Sequence, residues 1–239
     1  PGCHVRRDER GRHAVFGGSE KNLVDYEYMF QDIYLLDLNE GGHRRIVDLP
    51  GKTGNFVYSP DGSKIAYAAA AAEWDHAVSQ AYVANADGSG VVNLTPPELC
   101  GHVEWVGWKA RSTVVYLADE GTAMTLSAVG AGGGERRIIL HSDKAGAVFG
   151  SPSSSRDFKR HAFVCNSPSV PSDVYFWEAG KDLKRMTTIN PWVAERELAK
   201  QEVIRHPARD GREIEGILYY PLDYRAGEKY PLVVEVHGG

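Results

Sequence analysis

The chain has 239 residues, of which 42% are hydrophobic and 25% charged, and its formal net charge is −5. Such values are typical of a globular protein with a sizeable core, and a mildly acidic chain is a poor partner for nucleic acid, which attracts basic surfaces. The longest apolar run, IAYAAAAA at 65–72, is much shorter than the roughly 20 residues of a membrane helix. Composition therefore argues against a nucleic-acid partner and against a helical membrane span.

Cysteine and arginine positions indicate no metal site and no basic binding surface. Cys3, Cys100 and Cys165 are too few and too far apart for a disulfide framework or a zinc site. We therefore expect all three cysteines to be small, buried hydrophobic residues. The arginine pairs at 6–7, 44–45 and 136–137 lie near Gly-rich segments and are interpreted as solvated turns. No cofactor is expected. No secretory signal opens the sequence, which favours the cytoplasm only weakly because a signal could precede residue 1.

The first 50 residues give the weakest strand pattern. CHVRRDERGRHAVFGG at 3–18 reads as a strand, a polar turn and a second strand. DIYLLDL at 32–38 follows as a third apolar run. This part of the chain is predicted to form one sheet of the kind that the following residues repeat more clearly.

Two series of short β-like runs recur with a common period. One series is centred on Tyr34, Tyr82, Ser127 and Tyr175, at intervals of 48, 45 and 48 residues. A second series precedes it, and its matching residues are Val15, Tyr67, Tyr116 and Phe163, at intervals of 52, 49 and 47. Two independent series with one period indicate a repeat of about 45–50 residues.

Each period contains four short strands in the same order. An apolar run (NFVYS, HVEWVGW or GAVFGS) leads to a polar turn, the two aligned strands follow, and a last short strand (GVVNLT, RRIILHS or LKRMTTI) ends the unit. Asp61-Gly62 and Asp87-Gly88 supply tight turns between strands. Four short strands per period predict β-propeller blades, and the inward Trp and Tyr residues are then packing between blades. No long segment carries a helical stripe. The predicted fold is all-β, a partial β-propeller of about four blades over 1–192.

The repeating strand pattern ends after TINPW at 188–192. VAERELAK at 193–200 is predicted to be a short helical connector. QEVIRHP at 201–207 and EIEGILYYP at 213–221 are predicted to pair as a hairpin through Asp210-Gly211. YPLVVEV at 230–236 is almost continuously apolar, which suits a strand buried on both faces of an α/β sheet. A second domain, with a sheet of the α/β type, is therefore predicted for 193–239.

These segments together resemble the prolyl oligopeptidase family of serine peptidases, and in particular its bacterial dipeptidyl-peptidase and acylaminoacyl-peptidase branch. The resemblance is carried by SPDGSKIAY at 59–67, by SPSVPSDVYFWEAGKDLKRMTTINPW at 167–192, and most specifically by DGREIEGILYYPLDYRAGEKYPLVVEVHGG at 210–239. It implies a propeller that precedes an α/β-hydrolase domain and admits short peptides to the active site. It also implies that the chain is a fragment, cut at both ends.

The His-Gly-Gly at the end of the chain is the candidate site that the resemblance implies. In acyl transfer, preorganised N–H groups stabilise the oxyanion, each by about 3–4 kcal/mol. By resemblance Gly239 is the oxyanion-hole donor, and Gly238 and His237 shape the turn. The sequence contains no G-x-S-x-G, so the nucleophile, acid and base are expected after residue 239, and residues 1–239 alone are expected to be inactive.

Four further groups of residues are interpreted as structural or solvated rather than catalytic. The serines of SPSSS at 151–155 are placed in a blade turn, and EWDH at 73–76 is read as a solvated loop in preference to a metal site or a substrate-amine contact. Glu195 and Glu197 are assigned to the connector, and residues 213 and 215, both Glu, to a solvated strand edge.

The functional hypothesis is a serine peptidase that acts on short peptides through an acyl-enzyme. Two alternatives stay open, a TolB-like propeller that serves as a binding module and a propeller-fused esterase. The residues after 200 favour a hydrolase over a binding module. The expected partner of the whole protein is a peptide substrate, and a homo-oligomer is left open.

Overall fold

The computed structural model describes residues 5–7, 11–48 and 50–236, with only the backbone of 5–7 described. Four antiparallel sheets of four strands follow one another along the chain, and in each sheet the strands lie in sequence order. We call the sheets blades 1 to 4. Blade 1 comprises β1 (Val5–Arg7), β2 (His13–Gly18), helix α1 (Val24–Met29), β3 (Asp32–Asp37) and β4 (His43–Val47). Blade 2 comprises β5 (Thr53–Tyr58), β6 (Lys64–Ala70), β7 (Ser79–Asn85) and β8 (Val92–Asn93).

Blades 3 and 4 repeat this pattern. Blade 3 comprises β9 (Gly101–Ala110), β10 (Thr113–Glu120), β11 (Ala123–Gly130) and β12 (Arg137–His141), and is followed by α2 (Ser142–Ala145). Blade 4 comprises β13 (Val148–Ser154), β14 (Arg160–Ser167), β15 (Val170–Glu178) and β16 (Lys184–Arg185). A 3₁₀ helix (Pro191–Glu195) leads to a separate two-stranded hairpin, β17 (Gln201–Pro207) and β18 (Glu213–Tyr219).

The core of the described residues consists of three apolar clusters, one between each pair of successive blades. Blade 1 packs on blade 2 through Ile33 and Tyr67, among others. Blade 2 packs on blade 3 around Val83 and Trp108, and blades 3 and 4 share a cluster that includes Phe149. Sheets that bury their faces against the next sheet in the chain form a propeller. The prediction of propeller blades, with aromatic residues packed between them, is confirmed.

The predicted turns are formed by short polar segments that satisfy their own backbone. In blade 2, Asp61 accepts hydrogen bonds from the hydroxyls of Ser59 (2.7 Å) and Ser63 (2.8 Å), and Ser59 in turn accepts one from the N–H of Lys64. Blade 4 repeats the arrangement at 155–160, where Asp157 accepts from the Ser155 hydroxyl at 2.6 Å. The hydroxyl of Ser59 and the other donors around Asp61 hold the pKa of that carboxyl far below its usual range.

The described structure departs from the sequence predictions in the connector and in the final apolar run. The segment predicted as a helix at 193–200 contains only the end of the 3₁₀ helix, and 196–200 is irregular. YPLVVEV at 230–236 forms no strand, and Val233 is 89% exposed. A strand requires hydrogen-bonded neighbours, and none of the described strands pairs with this run, so the prediction of a buried strand is wrong for the described residues.

Three side-chain predictions are also corrected. Cys165 is buried as expected, and desolvation raises the pKa of its thiol to about 12, but Cys100 is exposed, and Cys3 lies outside the described residues. Arg136 is not a solvated turn residue: its side chain is 13% exposed and pairs with Glu120 at the end of β10. The serines at 151–154 lie within β13 rather than in a turn.

Candidate functional site

The candidate functional site is the end of the propeller on which the segment after the blades is seated. The residues that the sequence assigned to the oxyanion loop, His237, Gly238 and Gly239, lie outside the described residues, so that assignment stays a prediction. The described structure instead shows how the preceding hairpin attaches to the blades and which side chains surround the attachment.

One end of the blades carries every connection between second and third strands. Because the strands of each blade alternate in direction and successive blades pack side by side, these four connections emerge on the same side, which we call the upper face. They are residues 19–31, which include α1, and residues 71–78, 121–122 and 168–169. The connections between first and second strands emerge on the opposite, lower face, where Arg111 pairs with Asp61 of the neighbouring blade.

Glu215 joins the hairpin to the upper face. Its carboxylate accepts hydrogen bonds from the N–H (2.8 Å) and the hydroxyl (2.9 Å) of Thr122, in the turn of blade 3. Arg205, opposite Glu215 in the hairpin register, donates to the same carboxylate at 2.7 Å. The backbone N–H of Thr122, followed by Arg205 and the Thr122 hydroxyl, lowers the pKa of Glu215, which is therefore an anion at neutral pH.

The attachment has a second point on blade 4. The side-chain amide of Gln201, at the start of β17, donates to the carbonyl of Pro168 at 3.3 Å. The hairpin itself closes through Gly211, whose φ is +84°, and through Asp210, which accepts from the N–H of Arg212. The predicted Asp-Gly hairpin is thus confirmed.

The interpretation of Glu213 and Glu215 as a solvated edge holds for one residue only. The side chain of Glu213 is 67% exposed, but that of Glu215 is 21% exposed and serves as the anchor. Sequence reasoning missed this role because alternating glutamates on a strand look alike. The signal that separates them lies 93 residues away, in the turn of blade 3.

The loop at 71–78 and the helix α1 form the upper face of blades 1 and 2, and a lysine ties them together. Lys52 Nζ lies 2.8 Å from a carboxylate oxygen of Asp75 and donates to the Tyr28 hydroxyl at 2.9 Å. It also sits 4.4 Å from the centre of the Tyr28 ring. These contacts, that with Asp75 first, raise the pKa of Lys52, which is therefore a stable cation.

The side chains of EWDH are exposed, in agreement with a solvated loop, but the segment is ordered by its neighbours. The Trp74 ring stacks on His76 with centroids 5.8 Å apart, and the Ala77 N–H donates to the Trp74 carbonyl. No group of three or more His, Cys, Asp or Glu among the described residues is arranged to hold a metal ion.

A recess of about 360 Å³ opens between blades 3 and 4, at the upper ends of their strands. Glu104 and Asp119 line it, with Trp105, Leu117 and Met124 as apolar walls. Desolvation, followed by the charge of Glu104 and a hydrogen bond shared with it, raises the pKa of Asp119 to about 6. Glu104 has a second neighbour, because His102 Nε2 lies 3.7 Å from its carboxylate oxygen Oε1. Sequence reasoning missed this pair because its members lie on different strands.

A hydrogen bond between Ser154 and His161 has the residue types of a nucleophile and its base, but it is a packing feature. The Ser154 hydroxyl lies 2.8 Å from His161 Nδ1, while Nε2 faces the Phe158 carbonyl at 3.2 Å. The imidazole is buried and stacks against Phe163, and desolvation lowers its pKa. This pair lies at the lower end of blade 4, away from the upper face.

Comparisons with known proteins identify the fold of the chain. No protein-family model matches the chain. Among curated proteins, the chain is 30% identical over 88 residues to an uncharacterized peptidase, YuxL, of Bacillus subtilis, an alignment that covers 36% of this chain and 13% of that protein.

Solved structures match nearly the whole chain. A puromycin hydrolase matches 91% of it with a TM-score of 0.63 and 16% identity. The acylaminoacyl peptidase of Pyrococcus horikoshii matches 95% with a TM-score of 0.62 and 17% identity. TolB of Acinetobacter baumannii matches 91%, with a TM-score of 0.57 and 14% identity. These likenesses show the propeller fold and confirm, at the level of the fold, the resemblance to acylaminoacyl peptidases.

The chain spans only part of the proteins it resembles. It covers 33% of the puromycin hydrolase chain, 34% of the acylaminoacyl peptidase chain and 52% of the TolB chain. Among the helices of the described residues, none is long and apolar enough to cross a membrane.

Proposed function

We propose that the chain is the propeller part and the hydrolase entry of a serine peptidase that cleaves short peptides through an acyl-enzyme. The supporting observation is that a peptidase appears by name among both the curated proteins and the solved structures, next to a puromycin hydrolase. The hairpin at 201–219, seated on the propeller by Glu215, is the beginning of the predicted second domain at 193–239.

In this proposal the propeller and the hydrolase divide the work. The blades restrict access, so that short peptides reach the reacting centre and folded proteins do not. A serine beyond residue 239 attacks the scissile carbonyl, a histidine takes its proton, and the N–H of Gly239 contributes to the oxyanion hole. His237 and Gly238 form the turn that points this N–H at the oxyanion.

The coding sequence and the variant enzyme test the proposal. We expect a G-x-S-x-G after residue 239, followed by an aspartate and a histidine, and hydrolysis of a peptide p-nitroanilide by the protein that contains them. In that protein, Gly239→Pro removes the N–H donor and should lower kcat by about 10²–10³ with little change in KM. Gly239→Ala, which retains the backbone N–H, is the matched control for a substitution at this position. Absence of the serine motif would refute the proposal.

A TolB-like binding module is the second candidate, because TolB matches 91% of the chain. A binding module would bind a protein or ligand without turnover and would carry no nucleophile. An esterase is distinguished by its substrates, since it would cleave p-nitrophenyl esters but not the peptide anilide.

A further inference from the structure

We propose that Trp74, in the loop at 71–78, contacts an apolar side chain of the peptide substrate, and that the acidic surface around it selects peptides in which a basic residue adjoins that side chain. The inference rests on the proposed peptidase function and adds a substrate class to it. It is carried by the position, the exposure and the charge of one patch on the upper face, which we call the Trp74 patch: residues 71–78, the connection 19–31 and Lys52.

The Trp74 patch shares its face of the propeller with the hairpin. Glu215 and Gln201 attach the hairpin to the turns of blades 3 and 4, and the Trp74 patch is formed by the equivalent connections of blades 1 and 2. The chain after the hairpin therefore starts from the side of the propeller on which Trp74 projects. A ligand that reaches a site built by that later segment meets the Trp74 patch on the same side.

Trp74 is exposed, and the loop that carries it is tied to its neighbours. Its side chain is among the exposed large hydrophobic residues, at 66%, and one side of its ring is covered by His76. Lys52, which is itself largely buried, holds the loop through Asp75 and ties it to Tyr28 of α1. Tryptophan supplies a large contact area, and a loop that is held before binding loses little backbone conformational entropy. An exposed aromatic side chain supported in this way suits contact with an apolar group.

The charge of the Trp74 patch restricts the class of peptide that it can bind. The patch carries five carboxylates against two lysines, which gives it a net charge of −3 with histidine neutral. The carboxylates are Glu20, Asp25, Glu27, Glu73 and Asp75, and the lysines are Lys21 and Lys52. Such a surface attracts cations and repels acidic peptides. A peptide with an aromatic residue next to a lysine or arginine complements both features.

Binding to residues 1–239 tests the inference without catalysis. Three fluorescein-labelled hexapeptides differ at two adjacent positions, which are Phe-Lys, Ala-Lys or Phe-Glu, and their Kd values are measured by fluorescence anisotropy. We expect the Phe-Lys peptide to bind about tenfold more tightly than either of the others. Trp74→Ala should remove the preference for Phe over Ala, and the double variant E27K/E73K should remove the preference for Lys over Glu.

Val91→Ala is the matched control, because Val91 is a comparably exposed apolar residue on the lower face. It should retain both preferences. Equal binding of the three peptides to the unaltered protein, or unchanged preferences in Trp74→Ala, would overturn the inference.

Kinetics of the whole protein separate failure of this inference from failure of the proposed function. Hydrolysis of a small acyl ester reports the peptidase machinery, and the ratio of kcat/KM for the Phe-Lys and Ala-Lys peptides reports the Trp74 contact. We expect Trp74→Ala to lower that ratio about tenfold and Val91→Ala to leave it unchanged. An active enzyme whose ratio does not change in Trp74→Ala refutes the contact alone. A protein that cleaves neither ester nor peptide refutes the proposed function and, with it, the substrate class.

Discussion

At the scale of single residues, equivalent positions of the blades differ in one polar group. Tyr67 and Tyr116 occupy the place that Val15 has in blade 1 and Phe163 has in blade 4, and all four side chains are buried. Neither tyrosine hydroxyl has a hydrogen-bond partner among the described residues. Desolvation raises the pKa of both phenols, that of Tyr116 to about 12. The rings are packed between blades, and the hydroxyls oppose folding because they lose their hydration.

Removing either hydroxyl should stabilise the protein. Tyr67→Phe and Tyr116→Phe each retain the ring and remove a buried unpaired group, so we expect the free energy of unfolding to rise by about 1 kcal/mol. Urea unfolding followed by fluorescence measures the change. Tyr82→Phe is the control, because it breaks the hydrogen bond to Gln80 and should lower stability. Equal losses in all three variants would contradict the interpretation.

Asp119 should make stability depend on pH in the opposite sense to most carboxylates. Its pKa is raised from 3.8 to about 6, so the folded state binds the proton more tightly than the unfolded state. The charged carboxylate of Asp119 therefore lowers the free energy of unfolding above pH 6. This loss of stability disappears as the pH falls from 6 towards 4. Asp119→Asn should therefore raise the free energy of unfolding by about 1–2 kcal/mol at pH 8 and have little effect at pH 4. A variant less stable than the unaltered protein at pH 8 would contradict this assignment.

At the scale of elements, strands with aromatic and β-branched residues were predictable, and short connections were not. The sequence predicts a strand around Tyr67, and β6 (64–70) is centred on that residue. The last strands of blades 2 and 4 are shorter than predicted, with two residues each. Helix α1 was missed because it has six residues, no buried residue and no side-chain cap.

Contacts between distant elements were also beyond the sequence. The Glu215–Thr122 anchor and the pair of Glu104 and Asp119 each join residues from separate elements. The final apolar run was mispredicted because its residue types suit a buried strand, whereas strand formation also requires neighbours to pair with. The sequence period thus predicts the blades. The contacts on the upper face become visible only in the three-dimensional structure.

Two glycines on the same side of the sheets distinguish the cost of a strained backbone conformation from the cost of a steric clash. Gly88 has a φ of +90°, and a Cβ built on it would lie 1.9 Å from the Ile46 carbonyl oxygen of blade 1. Gly41 has a φ of +77° and open space around it. We expect Gly41→Ala to cost about 1–2 kcal/mol and Gly88→Ala to cost a further 1–3 kcal/mol, because only the second forces blades apart. Thermal unfolding measures both, and equal costs would show that blades 1 and 2 do not meet there.

The hairpin should detach when its anchor is removed. Glu215→Gln keeps the shape of the side chain but removes the charge shared by Thr122 and Arg205, so we expect docking to weaken by about 1 kcal/mol. Hydrogen exchange of the β17 and β18 amides and of the Thr122 amide should become faster, while exchange in blade 2 stays unchanged. The control is Glu213→Gln, which alters the exposed neighbour. Faster exchange in both variants to the same extent would show that Glu215 has no special role.

At the scale of the whole molecule, the four blades and the hairpin form the described part of a larger proposed assembly. The outer face of blade 4 exposes Val148, Val164 and Val174, whereas the inner face packs on blade 3. Three clusters join four blades in the described residues, and an apolar sheet face in water is a surface for further contact. The upper face carries the anchored hairpin, the recess lined by Glu104 and Asp119, and the Trp74 patch.

The most direct test of the account is labelling with a fluorophosphonate, which modifies only activated serines. The protein translated from the full coding sequence and residues 1–239 alone are treated with the probe, and the labelled peptide is identified by mass spectrometry. We predict one labelled serine, in a G-x-S-x-G beyond residue 239, and no label on residues 1–239. A labelled serine within the blades, such as Ser154 beside His161, or a full protein that takes no label, would contradict the account.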